Sequence, residues 1–179
     1  MIKNKLTFIL FINLIILTFT PETRAEILNQ GNNMASKIIG IMGISGAGKT
    51  TVTKKLAESL HSTVVFWDEF DDISTSPEDL IEWYKNSKDY TAWNYQGLAD
   101  TLNTLKQGNR AIHPVNHEEL IPTEVILFDA PLGFKHQQTG KYIDYLVCID
   151  TPLDIALARR LLRDFQNKKD ELVNEIIEE

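Results

Sequence analysis

An α/β fold, with a central parallel sheet between two layers of helices, is what this sequence predicts, and three observations predict it. Short apolar runs alternate with amphipathic stretches along the chain, which is the signature of parallel strands joined by crossover helices. Each of three of those runs stops at a residue suited to ligand chemistry: Gly43, Asp68 and Asp129. Pro-first and Gly-last punctuation marks the helices between them. Taken in order, Lys37 to Met42 reads as a buried strand. Lys49 to Leu60 reads as a helix, with Val52, Leu56 and Leu60 at four-residue spacing. Thr63 to Trp67 is a second strand. Ser76-Pro77-Glu78 opens a short helix, and Leu98, Leu102 and Leu105 mark another that closes at Gly108. Val125 to Phe128 and Tyr145 to Ile149 are the remaining strands. Thr151-Pro152-Leu153-Asp154 opens a long helix, with Thr as its cap. Its residues Leu153, Ala156, Leu157 and Leu161 are expected to pack on the sheet.

The run Gly43-Ile44-Ser45-Gly46-Ala47-Gly48-Lys49-Thr50 fits the pattern Gly, four residues, Gly-Lys-Ser/Thr. It follows a strand and opens a helix, the context its mechanism requires. The glycines permit backbone angles that turn successive amides toward one point, where they and the helix N-terminus hold phosphate oxygens. Lys49 is placed to reach the outer phosphates, and the Thr50 hydroxyl to ligate magnesium. The fold expected is therefore the P-loop NTPase three-layer sandwich. Gly43, Ser45, Gly46, Ala47, Gly48, Lys49, Thr50 and Thr51 form its nucleotide-binding set, and ATP and Mg2+ are the cofactors implied.

In open parallel sheets, ligands bind beyond the carboxyl ends of the strands. Asp129 ends the Val125–Phe128 run and is expected to hold magnesium. Asp68 ends the strand that follows the P-loop helix and is the candidate base for an attacking hydroxyl. Glu69, Asp71 and Asp72 read as a solvated acidic turn. Arg160 and Arg163 are three apart on the last helix and share a face. Their planar guanidiniums suit phosphates, although a solvated basic surface explains them equally well.

The 179 residues carry a net charge of -7, which argues against nucleic-acid binding by phosphate neutralisation. Cys148 is the only cysteine, so no intrachain disulfide forms, and its apolar run suggests a buried position. At the N-terminus, Lys3 and Lys5 precede an apolar run from Leu6 to Phe19, and Thr23-Arg24-Ala25 resembles a cleavage site. Two readings of residues 1–33 stand: a secretory signal or anchor, or a misassigned extension ahead of a start at Met34. Residues 34–179 form the catalytic domain in either case. A cytoplasmic location follows from the second reading, and export or anchoring from the first. No stable membrane association is expected of the domain itself.

From about Lys37 to Phe165 the chain resembles the uridine kinase branch of P-loop kinases, which includes phosphoribulokinase-like enzymes. Ile41 to Thr51 is close to that family's P-loop. Asp68-Glu69-Phe70 is similar to its Asp-x-Phe/Tyr element, which implies that Asp68 is catalytic base and a magnesium-linked acid. Phe128-Asp129-Ala130-Pro131 falls where the family has an acidic strand end, usually Glu-Gly. Leu157 to Asp164 is similar to its lid helix, which implies that Arg160 and Arg163 contact the transferring phosphates. Trp93-Asn94 stands where the family has Phe-Asp, and Pro114-Val115-Asn116-His117 where it has Pro-x-Tyr-Asp. The Arg-Gly-Arg that completes the family's lid does not follow Asp164, and with the chain ending at Glu179 the family's last strand and helix are expected to be absent, so the domain is expected to be shortened at its C-terminal end.

The function expected is an ATP-dependent kinase that transfers the γ-phosphoryl group to a hydroxyl of a small metabolite, nucleoside-like by resemblance. The catalytic set is Asp68, Lys49, Arg160 and Arg163, with Thr50, Asp129 and Asp68 at the metal. Phe70, Trp93, Asn94 and His113, with Trp83 and Tyr84, are the candidates for the acceptor pocket; core packing is the competing role for each aromatic. The alternative reading is a catalytically impaired nucleotide-binding regulatory protein. A zinc site at His113 and His117 is set aside for want of further ligands. Asn167-Lys168-Lys169-Asp170 is set aside as a guanine motif because it follows no apolar strand.

Overall fold

The structure, a computed structural model, describes residues 35–86 and 88–165. The chain divides into Met1–Met34 and Ala35–Glu179, and the architecture is that of the second unit. The readings of residues 1–33 and of the tail after Phe165 lie outside the described residues. Four parallel strands form the sheet: β1 (Lys37–Met42), β2 (Thr63–Phe66), β5 (Val125–Asp129) and β6 (Tyr145–Cys148), in the order β2-β5-β1-β6. A short antiparallel ribbon, β3 (Ala111–Ile112) and β4 (Glu119–Leu120), lies apart from it.

The sheet is covered on both faces because successive side chains of each strand point opposite ways. Ile38, Val65, Ile126 and Phe128 pack with Leu98, Leu102 and Leu105 of the helix Gln96–Lys106. Those three leucines are fully buried, which stabilises the layer by about 1.5–3 kcal/mol each. Ile41 and Leu127 meet Leu56 and Val52 of α1 (Lys49–Leu60) on the other face. The helices after α1 are α2 (Leu80–Asn86), α3 (Gln96–Lys106), α4 (Gln137–Gly140) and α5 (Leu153–Phe165).

The chain leaves β1 for β2 on one side and later crosses to β6 on the other. In register, Asp129 lies beside Ile41 of β1 and Phe66 of β2. The ends of the three strands therefore bring Gly43, Asp129 and Asp68 to one edge of the sheet, the place where such sheets bind ligands.

Four local expectations are corrected. Helix α2 starts after Asp79, whose Oδ1 accepts from the Ile81 and Glu82 amides, and not at Pro77. Asp79 caps the helix because its carboxylate satisfies two first-turn amides that have no carbonyl partner within it. Thr151 does not cap α5: its hydroxyl donates to the Ala47 carbonyl of the P-loop instead. The first turn of α5 is closed by the Ala156 amide on the Pro152 carbonyl. Nor does the apolar side of α5 pack on the sheet, since only Ala156 is buried while Leu153, Leu157 and Leu161 are exposed. Cys148 is exposed too, because among the described residues β6 is an edge strand bonded to β1.

Candidate active site

The P-loop geometry follows from its glycines. Gly46 has φ 83° and Gly48 φ 97°, both in the left-handed region that a side chain disfavours. Gly46 has a second constraint: a Cβ there would lie 2.1 Å from the Ala156 carbonyl oxygen. The loop is thus held against α5 by a close backbone approach as well as by the Thr151–Ala47 hydrogen bond. Replacing Gly46 by alanine is expected to weaken ATP binding about tenfold or more, because the φ alone costs about 1–2 kcal/mol. Titration of the variant with a fluorescent ATP analogue reads this directly, and unchanged affinity would show that the loop tolerates reshaping.

Lys49 is partly buried, with Nζ 3.4 Å from the Ile44 carbonyl, so its ammonium lies over the loop that would hold the phosphates. Thr50 donates its hydroxyl to Oδ2 of Asp129 at 3.0 Å. Asp129 is buried, and its Oδ1 has no hydrogen-bond partner among the described residues. Burial pushes the Asp129 carboxyl above its ordinary value; the nearby Lys49 charge and the Thr50 hydroxyl pull it down, and Asp68 pushes it up. A buried carboxylate oxygen with no donor is costly unless a cation or water meets it. Magnesium takes hard oxygen ligands, and typically only one or two from a protein, the rest being waters and phosphates. The Asp129–Thr50 pair fits that ion.

Asp68 sits in the first turn of the 3-10 helix Trp67–Ile73, exposed, with its charge felt at Asp129. Beneath it the Trp67 ring lies tilted against Tyr95 with centroids 4.1 Å apart, and the Tyr95 hydroxyl donates to Oδ1 of Asp71 at 2.7 Å. This anchors the acidic turn to the start of α3. Asp71 is therefore more than a solvated turn acid, a role that sequence spacing does not reveal. Burial pushes the Asp71 carboxyl up, against the pull of the Tyr95 hydroxyl.

The acceptor candidates divide. Phe70 is fully buried in the core, its ring 4.4 Å from that of His113. His113 is also buried; its Nδ1 accepts from the Val115 and Asn116 amides, leaving Nε2 to face Glu69 at 3.5 Å. Both side chains brace the acidic turn. Trp93 is half-buried and Asn94 exposed, and the Asn94 backbone bridges to Thr75. Arg160 and Arg163 are exposed and both pair with Asp164, at 3.3 and 2.8 Å. Neither has a described bond to the P-loop.

Fold and site together define a P-loop phosphotransferase. Residues 38–177 match the Phosphoribulokinase / Uridine kinase family, and the chain belongs to that family. A uridine kinase of Borrelia turicatae is 30% identical over 166 residues, covering 80% of this chain and 74% of that protein. One of Borrelia garinii subsp. bavariensis is 32% identical over 145 residues, covering 74% and 69%. Among solved structures, a kinase assigned to a fructose transport system in Silicibacter sp. TM1040 shares the fold. Its TM-score is 0.55 at 18% identity, over 80% of this chain and 78% of that one. The chain is an ATP-dependent kinase acting on a hydroxyl of a small metabolite. The reading as an impaired regulatory protein finds no support among these relatives.

Proposed function

We propose that the chain transfers the γ-phosphoryl group of ATP to a hydroxyl of a sugar-bearing, nucleoside-like metabolite, with magnesium as cofactor. The observation that carries the reading is the Thr50–Asp129 pair, with one orphaned carboxylate oxygen, within the electrostatic reach of Lys49 and Asp68. The amides from Ser45 to Thr51 cradle the phosphates, and Lys49 follows the charge on the transferring group. Asp129 and Thr50 would hold the magnesium ion, which would supply charge neutralisation to the phosphates. Asp68 accepts the proton of the attacking hydroxyl, which binds on the Trp93–Asn94 side of the acidic turn. Arg160 and Arg163 neutralise developing charge once they exchange Asp164 for phosphate oxygens. The supply of ATP favours a cytoplasmic site of action, and no helix among the described residues is long and apolar enough to cross a membrane.

The test is ADP release from magnesium-ATP by the full chain, with and without nucleosides and other small hydroxyl compounds. Release that depends on an acceptor establishes transfer and names the substrate class. Tight ATP binding with no acceptor-dependent release across the panel would overturn the transfer reading in favour of nucleotide binding alone.

A further inference from the structure

A cavity of about 550 Å³ opens between the loop at residues 88–94 and the segment 135–138. Trp93 and Asn94 line it, and so do Lys88 and Lys135. Its aromatic wall is built. The ring of Trp83 lies edge-on to Tyr90 at 5.3 Å and to Trp93 at 5.9 Å, and Trp83 Nε1 donates to the Asp89 carbonyl. Its far wall is locked. The His136 Nε2 proton goes to the Trp93 carbonyl at 2.9 Å, and Nδ1 accepts from Thr139 at 2.8 Å. Gln138 accepts from the Tyr95 amide and donates to Asn94 and Gln96. These bonds tie the cavity to Tyr95, whose ring packs against Trp67, the neighbour of Asp68.

The charge of the lining is the informative part. Burial pushes the His136 pKa down, so that ring is neutral at physiological pH. Asp89 accepts from the Thr91 amide at 2.9 Å and from the Thr91 hydroxyl at 2.7 Å, which engages its carboxylate within its own turn. Two lysines then stand against one aspartate in a chain whose net charge is -7. Among the described residues neither lysine has a carboxylate in ion-pair range; Lys88 lies over Tyr84 at 3.9 Å and Lys135 over Tyr90 at 5.9 Å. A cavity with two cations and aromatic walls suits an anion carried on a small organic frame.

We propose that this cavity receives a negatively charged group of the acceptor, a phosphate or a carboxylate, so that the substrate is an anionic hydroxy compound. The proposal rests on the kinase reading only for the word acceptor; the anion site itself stands on the cavity. Lys88 and Lys135 hold the anion, and the Trp93–Asn94 loop holds the frame that presents the hydroxyl.

The experiment has two readouts on the full chain. The first is tryptophan fluorescence, with the P-loop saturated by magnesium-ADP and three probes compared: ribose, ribose 5-phosphate and gluconate. The second is ADP release from magnesium-ATP with the same three compounds. Ribose 5-phosphate or gluconate should bind while ribose does not, and the stronger of the two identifies the anion. Lys88→Ala with Lys135→Ala should weaken that binding about tenfold or more, as loss of charge-assisted bonds does. The fluorescence response to ATP itself should not change. Binding without ADP release would uphold the anion site and overturn its assignment to the acceptor, leaving the kinase reading to the acceptor panel above. Ribose binding as well as its phosphate, or binding of the charged probes that survives Lys88→Glu with Lys135→Glu, would overturn the proposal. So would failure of both charged probes to bind.

Discussion

Asp129→Asn is expected to lower kcat about 10²–10³-fold while making the nucleotide-free protein more heat-stable. The two effects have one cause. Asp129 is buried beneath the P-loop, and burial raises its pKa above the ordinary 3.8 despite the nearby Lys49 charge and the Thr50 hydroxyl. A carboxyl whose folded pKa is raised stabilises the fold in its protonated form. That contribution is complete below the unfolded value and is lost as pH climbs through the folded value. At neutral pH the wild-type fold therefore carries an ionised group it would hold more easily neutral. Asparagine keeps the oxygen that accepts from Thr50 and drops the charge. The melting temperature of the variant, measured without nucleotide, should exceed that of wild type by about 2–4 °C at pH 7 for each kcal/mol relieved. The gap should close as pH falls toward 4.

Magnesium-ATP should reverse the order. In wild type, binding stabilises the fold by mass action and relieves the orphaned Oδ1. The variant offers a neutral amide where a hard cation needs a carboxylate, so its gain on adding magnesium-ATP should be small. The loss in kcat has the scale seen when one preorganised electrostatic group is removed from a transition state. An unchanged or lower melting temperature at pH 7 would mean that the Lys49 attraction outweighs the burial cost. Full activity would remove Asp129 from the site.

How far the sequence carried the reading depends on range. The P-loop and the strand ends were legible because each is a local pattern whose geometry is fixed within a few residues. Leu98, Leu102 and Leu105 advertised a buried face by spacing alone, and that face is in the core. Helix α5 shows the limit. Its spacing is equally regular, yet its leucines face outward, since periodicity states that a face is apolar and not what covers it. Thr151 was misread for a related reason. A threonine before a helix has two uses for its hydroxyl, and the choice was made by Ala47, 104 positions away. The same holds for Phe70 and His113, which look like pocket residues in sequence and pack on each other beneath the acidic turn. The cavity at Lys88 and Lys135 joins segments 47 residues apart, through Gln138 and His136, and no local motif announces it.

Asp68→Asn should abolish transfer by about 10²–10⁴-fold and leave the protein folded and able to bind ATP. The size is that of a positioned general base. The side chain is exposed, so its replacement should change stability by no more than about 0.5 kcal/mol. The turn beneath it is held by Trp67, Phe70 and the Tyr95–Asp71 bond, none of which involves the Asp68 carboxylate. Asp68 also pushes the Asp129 carboxyl up, so its removal lets Asp129 ionise more readily, and magnesium-ATP should bind at acidic pH at least as well as before. That separates two roles. A base lost alone gives low kcat, unchanged ATP affinity and unchanged magnesium dependence. A metal-linked acid lost with it raises the magnesium concentration needed for half-maximal rate, and added magnesium restores part of the activity. Asp68→Glu refines the test, because it keeps a carboxylate and shifts it by one methylene. Partial rescue by glutamate marks a proton acceptor with some reach, whereas wild-type activity in the asparagine variant would take Asp68 out of the chemistry and leave the hydroxyl to be activated by another group.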